Sequence, residues 1–278
     1  GLPVKFYNAA VVREKKKGLA EKLRSKYLDL AKVQIEKNHS KGLLKLLKEA
    51  AQEFTDAVNP TVKTASSRDC WRNLPQVHAF AHKNITGWLM DHHIEVMPPL
   101  MTPFFIQAFV NRLTNDKFDL KHDRIPHLLV DFIYLQIVKI IDKVNKIGRA
   151  FPYFTPFEDI YEMANDGKGI INMAAQFGEG WLLPAEVIGF AKRGIPNVIS
   201  LQPFGCIANH IIAKGIEKKV KTLYPEMNLL SLDFDSGVSD VNVTNRLLLF
   251  VENIKTSKAP PKKEAQKKKP SKVRLCCK

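Results

Sequence analysis

Residues 202–210, QPFGCIANH, place Cys206 between an apolar, strand-like segment and a helix-like one. At such a junction the unpaired N–H groups of a helix start stabilise a thiolate, so Cys206 is a candidate metal ligand or nucleophile. His210 follows one helical turn later, on the same face. Pro203 and Gly205 flank the cysteine as turn residues. The plainer alternative is a small buried apolar side chain. No CxxC or histidine pair accompanies Cys206, which argues against a closed structural zinc site.

Two further segments carry candidate residues. In residues 176–181, QFGEGW, Gly178 and Gly180 flank Glu179 and precede Trp181. Such glycines allow a tight turn and bring backbone N–H groups close to a ligand. The spacing matches neither a dinucleotide fingerprint nor a phosphate loop, so an ordinary turn is the alternative. In residues 233–246, DFDSGVSDVNVTNR, the stretch from Asp235 to Ser239 imitates the phosphate motif of actin-like ATPases. Only one helix and a tail follow it, so no ATPase domain and no nucleotide site are expected. Ser239 or Asp240 suits a helix N-cap, and Asn242, Asn245 and Arg246 then share one helical face.

Other clusters are less productive. Asp91, His92, His93 and Glu95 resemble a metal set, but adjacent histidines in a strand point to opposite faces. His122, Asp123 and His127 flank a proline and read as a helix start. No Ser–His–Asp order or nucleophile elbow is present.

The elements that must position these residues follow from periodicity. Residues 169–174, 197–202 and 228–234 read as strands; 183–192, 208–223 and 240–253 read as helices. Strands alternating with helices imply βαβ crossovers and a parallel sheet, a Rossmann- or flavodoxin-like α/β fold with flanking helices. Ligands bind such sheets at the carboxyl ends of the strands, where the three candidate loops would gather. Upstream, residues 86–92, 103–113, 122–147 and 157–165 read as helices and 93–97 as a strand. Leu128, Phe132, Leu135 and Val138 form a stripe expected to pack on a core. Residues 1–60 read as a basic helical segment of two or three helices, 61–254 as the α/β domain and 255–278 as a disordered basic tail.

Charge follows the same division. The 278 residues hold 43 Lys+Arg and 28 Asp+Glu, a net +15, which as a total points to nucleic acid or an anionic membrane. Residues 1–50 carry +8 and residues 255–278 carry +9, which leaves 51–254 at −2. The basicity belongs to the ends, and the N-terminal lysines read as the solvated face of amphipathic helices. Arg13, Lys15, Lys16 and Lys17 could meet phosphate, but no aromatic interleaving accompanies them. The tail could alternatively be a lipidated anchor, with Cys276 and Cys277 behind a polybasic run. No apolar run of about 20 residues and no signal peptide is seen, so a cytoplasmic, reducing compartment is expected.

Taken in order, residues 178–187 (GEGWLLPAEV), 194–216 (GIPNVISLQPFGCIANHIIAKGI) and 224–250 (YPEMNLLSLDFDSGVSDVNVTNRLLLF) resemble the C-terminal region of the 2-hydroxyacyl-CoA dehydratase activase-related (2-hydroxyglutaryl-CoA dehydratase-like) proteins. A weaker likeness covers residues 95–111. The resemblance implies an iron–sulfur-type α/β module of the acyl-CoA dehydratase/activase system, acting in electron transfer or reductive activation of a partner. Cys206 would be a cluster ligand and Cys70 a second candidate. Gly178, Glu179, Gly180, Trp181, Pro203, Gly205, His210, Asp235, Ser239, Asn242, Asn245 and Arg246 would line the edge that meets substrate or partner. A 4Fe–4S-type cluster needs four thiolates, so it would be shared with another chain. The expected partners are a second copy or a larger activase or dehydratase chain, and an acyl-CoA; nucleic acid and membrane are not expected. A non-catalytic scaffold subunit of the same fold, lacking a cluster, is the alternative.

Overall fold

A computed structural model of the chain describes residues 2–38, 40–62, 65–66, 84–97, 101–121, 124–234 and 237–256. Cys70, Asp235, His122, Asp123 and the tail with Cys276 and Cys277 lie outside these residues. The described residues are mostly helical, with two small parallel sheets.

The first 60 residues form the helices their periodicity predicts: α1 (Leu2–Val11), α2 (Leu19–Glu36) and α3 (Ser40–Ala57). Their shared core holds Phe6, Tyr27 and Phe54, and it is completed by Phe151 and Phe154 from far along the chain. Lys15, Lys16 and Lys17 are exposed, whereas Arg13 is buried and paired with Glu95.

Next come β1 (Ala65–Ser66), α4 (Ile85–Asp91) and β2 (Ile94–Glu95), with β1 and β2 paired in parallel. The helices α5 (Met101–Phe118), α6 (His127–Gly148) and α7 (Ile160–Gly167) follow. Asp159 caps α7 by accepting the Tyr161 and Glu162 N–H groups, and it also accepts the Tyr134 hydroxyl. Burial and that nearby carboxylate push the Tyr134 pKa above its ordinary value.

The last third holds α8 (Leu182–Lys192), β3 (Asn197–Pro203), a π-helical turn (Ala208–Ala213), α9 (Glu217–Leu223), β4 (Asn228–Phe234) and α10 (Asp240–Thr256). β3 and β4 pair in parallel, with Asn197 opposite Asn228 and Pro203 opposite Phe234. Period-2 alternation sends β3 side chains to two cores. Ile199 and Leu201 join Leu232, Leu247, Phe250 and α4 on one face. Val198 joins Val187, Ile188, Phe190 and Val220 on the other. Helices therefore cover both faces of a two-stranded parallel sheet.

Three expectations are corrected. Residues 169–174 form turns instead of a strand, because Gly167 O accepts the Ile170 and Ile171 N–H groups and Asn172 Oδ1 accepts the Ala174 N–H. The helix expected over 208–223 is divided into a π-helical turn and α9, with Gly215 between them. In α6, Leu128, Phe132 and Leu135 face away from the core, and Leu128 is 83% exposed. The face carrying Tyr134, Val138, Ile141 and Asn145 packs instead. The first half of α6 is apolar nearly all round, so its stripe did not identify the buried side. Among the described residues no helix is long and apolar enough to cross a membrane.

Candidate functional site

The site is built on the carboxyl ends of β3 and β4. Phe204 N–H donates to Phe234 O at 2.9 Å, so the two chain directions leave the sheet side by side. β3 then closes a turn in which Cys206 N–H donates to Pro203 O at 3.1 Å. Gly205 takes φ +76° at the third position of that turn, as a type II turn requires. The turn delivers Cys206 to the start of the π-helical segment, a rare geometry that occurs often at functional sites.

Cys206 is half-buried, and the Asn209 side-chain Nδ2 donates to its sulfur at 3.0 Å. Asn209 itself is buried. His210 serves a different purpose from the one its spacing suggested. Its Nε2 donates to Pro203 O at 3.0 Å, and its Nδ1 lies 3.7 Å from Asp233 Oδ1. The ring thus bonds to the start of the turn and lies beside the end of β4. Lys214 Nζ lies 3.7 Å from the other Asp233 oxygen.

The glycine loop joins this turn. A Cβ built on Gly178 would lie 3.8 Å from Ala208 Cβ, and one on Gly180 would lie 3.1 Å from Ile212 Cδ1. Glu179 and Trp181 of the loop face inward, whereas Phe177 is exposed. Glu179 is buried, and its carbonyl accepts the first amides of α8. Trp181 is fully buried, with its indole N–H donating to Asn111 Oδ1 at 2.7 Å. Loops one and two therefore meet through packing, with Glu179 and Trp181 inside.

The third loop meets the site through Asp233. Ser239 is exposed, and its carbonyl accepts the Val243 N–H that opens α10. Asn242 and Asn245 are exposed. Arg246 donates to Ser231 O in the middle of β4, and so covers the strand edge.

Asn209 and Asp233 are the residues that sequence reasoning missed as site members. Asn209 stands three residues after Cys206, a spacing at which helical side chains meet, and that signal was available. The Asp233 contact follows only from strand register. Among the described residues no group of three or more His, Cys, Asp or Glu could hold a metal ion. Cys206 is one thiolate, and among the described residues no others join it to make up the four that an iron–sulfur cluster takes.

Gln202 shares the Val198 face of β3 and is 0% exposed. Neither of its amide atoms has a hydrogen-bond partner among the described residues. A buried amide without partners costs roughly 1–3 kcal/mol. Gln202→Met, which keeps the shape, is therefore expected to raise the unfolding free energy by about that amount in urea titrations. A net loss of stability would mean that the amide is satisfied in solution.

No family model, no curated protein and no solved structure matches the chain.

Proposed function

We propose that the chain is an iron–sulfur-type α/β module of the acyl-CoA dehydratase/activase system, acting in electron transfer or reductive activation of a partner. Cys206 would contribute one thiolate to a 4Fe–4S-type cluster completed by another chain, and β3 and β4 would form the centre of a Rossmann-like arrangement. The observation that supports this reading best is the Asn209 amide donating to Cys206 Sγ at the carboxyl end of a parallel strand. Hydrogen bonds to sulfur tune the reduction potential of clusters. The likeness of residues 178–187, 194–216 and 224–250 to the activase-related proteins supports the same reading. When bound, the cluster would supply one-electron transfer. This chain would orient the sulfur through the Pro203–Cys206 turn and donate to it from Asn209.

The burial of Trp181 and Glu179 favours a second reading, a scaffold subunit of the same fold without a cluster. Anaerobic reconstitution of the full chain with iron and sulfide separates the two. Wild type is expected to bind iron, Cys206→Ser to lose most of it, and Asn209→Leu to keep it at a lowered potential. Equal iron in wild type and Cys206→Ser would exclude Cys206 as a ligand. A chain that takes up no iron would favour the scaffold.

A further inference from the structure

The outward face of α6 is apolar over its first half and basic over its second. Leu128 is 83% exposed, Ile140 60% and Phe132 58%, and Leu129, Ile133 and Leu135 are each nearly half exposed. At roughly 150–250 Å² for a large side chain, these fractions leave about 600 Å² of apolar surface on one helix, the upper end of what a monomer exposes. Helical spacing puts Leu128, Phe132 and Leu135 in one line with Lys139, Lys143 and Lys146, and all three lysines are exposed. Read from sequence, this stripe belongs against a core, which is why no membrane contact is expected there. We propose that the outward face of α6 docks on an anionic lipid bilayer, with its apolar half at the boundary of headgroups and acyl chains and its lysines among the headgroups. This goes beyond the iron–sulfur reading and does not depend on it.

Three observations select a lipid surface as the occupant. The first is the make-up of the face. Lysines are depleted from protein–protein interfaces, but at a membrane they reach the headgroups while their stems stay on apolar surface. The second is charge complementarity. α6 holds two acids: Asp131, partly buried and lying toward Tyr161 of α7, and Asp142, exposed beside the line. Three exposed lysines thus stand against one exposed acid, a balance that suits anionic headgroups. The third is the charge of the whole chain. A shallow apolar anchor holds a membrane only marginally and needs a second, basic signal. The net +15, of which residues 255–278 supply +9, provides that signal.

Co-sedimentation of the full chain with sucrose-loaded vesicles tests this, at about 1 mM accessible lipid, roughly tenfold above the dissociation constant of a single-chain anchor. Phosphatidylcholine vesicles with about 30% phosphatidylglycerol should carry down most of the protein, and pure phosphatidylcholine vesicles little of it. Leu128→Asp with Phe132→Asp should lower binding to the anionic vesicles at least tenfold. Both side chains are exposed, so the helical dichroism and thermal melt of that variant should match wild type. Lys139→Gln, Lys143→Gln and Lys146→Gln together should weaken binding severalfold and flatten its salt dependence. In Phe132→Trp, lipids brominated on their acyl chains should quench tryptophan emission beyond any quenching in wild type.

A chain that binds neither kind of vesicle would overturn the proposal. So would binding that survives Leu128→Asp with Phe132→Asp and disappears at high salt, which would assign the contact to the basic ends of the chain. Equal binding to both kinds of vesicle would overturn the preference for anionic lipid. Emission of Phe132→Trp quenched no more than that of wild type would overturn the seating of the apolar half. A chain that ignores vesicles but forms a dimer lost on Phe132→Asp would make this face a protein contact, and the lipid surface would fall.

Discussion

Replacing Gly180 with Ala is expected to destabilise the protein by about 3 kcal/mol or more, or to prevent folding. A Cβ at this position would lie 2.1 Å from Ala175 O and 2.9 Å from Ala175 C. Neither atom can give way cheaply. Ala175 O accepts the Trp181 N–H at 2.8 Å, and that bond holds the fully buried Trp181 at the entrance to α8. The opposite side is closed by Ile212 Cδ1 at 3.1 Å. The added methyl must therefore separate the glycine loop from the π-helical turn or break the bond that seats Trp181.

Gly178→Ala supplies the comparison. Gly178 has φ +60°, which disfavours a side chain by about 1–2 kcal/mol, but its nearest neighbour would be 3.8 Å away. Gly178→Ala should fold with a modest loss, with Gly180→Ala far less stable or insoluble beside it. Thermal melts and near-ultraviolet dichroism of the buried tryptophan read the difference. A Gly180→Ala protein within about 1 kcal/mol of wild type would contradict this packing.

The same two glycines show which parts of the molecule could be read from sequence. Their pairing around Glu179 identified a tight loop, but it was expected beside the Cys206 turn because it follows a strand expected over 169–174, which the structure replaces with turns. That Gly180 is required by a carbonyl and an isoleucine from another loop is a fact of packing, which one-dimensional spacing does not contain. Trp181 shows the same limit: its partner Asn111 is 70 residues away. β3, β4 and α10 were legible because each carries one strong period. Residues 169–174 have strand-like composition, but Asn172 supplies a local acceptor that closes a turn before any ladder forms. α6 was legible as a helix and illegible in orientation, because apolar residues surround its first half. The Asn209 contact to Cys206 was within reach at i, i+3, whereas the Asp233 contact to His210 required the register of two strands.

A buried ion pair ties the N-terminal helices to residues further along the chain. Arg13, in the turn after α1, pairs with Glu95 on β2 at 2.7 Å, and both residues are buried. The guanidinium also donates to Ala9 O at 2.8 Å and stacks over Tyr153 at 4.4 Å. One side chain thus joins α1, β2 and the segment that follows α6. Arg13→Ala is expected to cost about 3–5 kcal/mol, because it leaves the Glu95 carboxylate buried without its counter-charge. Arg13→Lys should cost less but not nothing, since a single ammonium cannot reproduce the fork and the stack. Replacing both partners with apolar residues, Arg13→Met with Glu95→Leu, should recover much of the loss because no unpaired charge remains. Urea titrations of wild type, Arg13→Met, Glu95→Leu and the double variant complete the cycle that gives the coupling energy. An Arg13→Ala loss below about 1 kcal/mol, the scale of an exposed pair, would show that the ion pair does not hold the basic helices to β2.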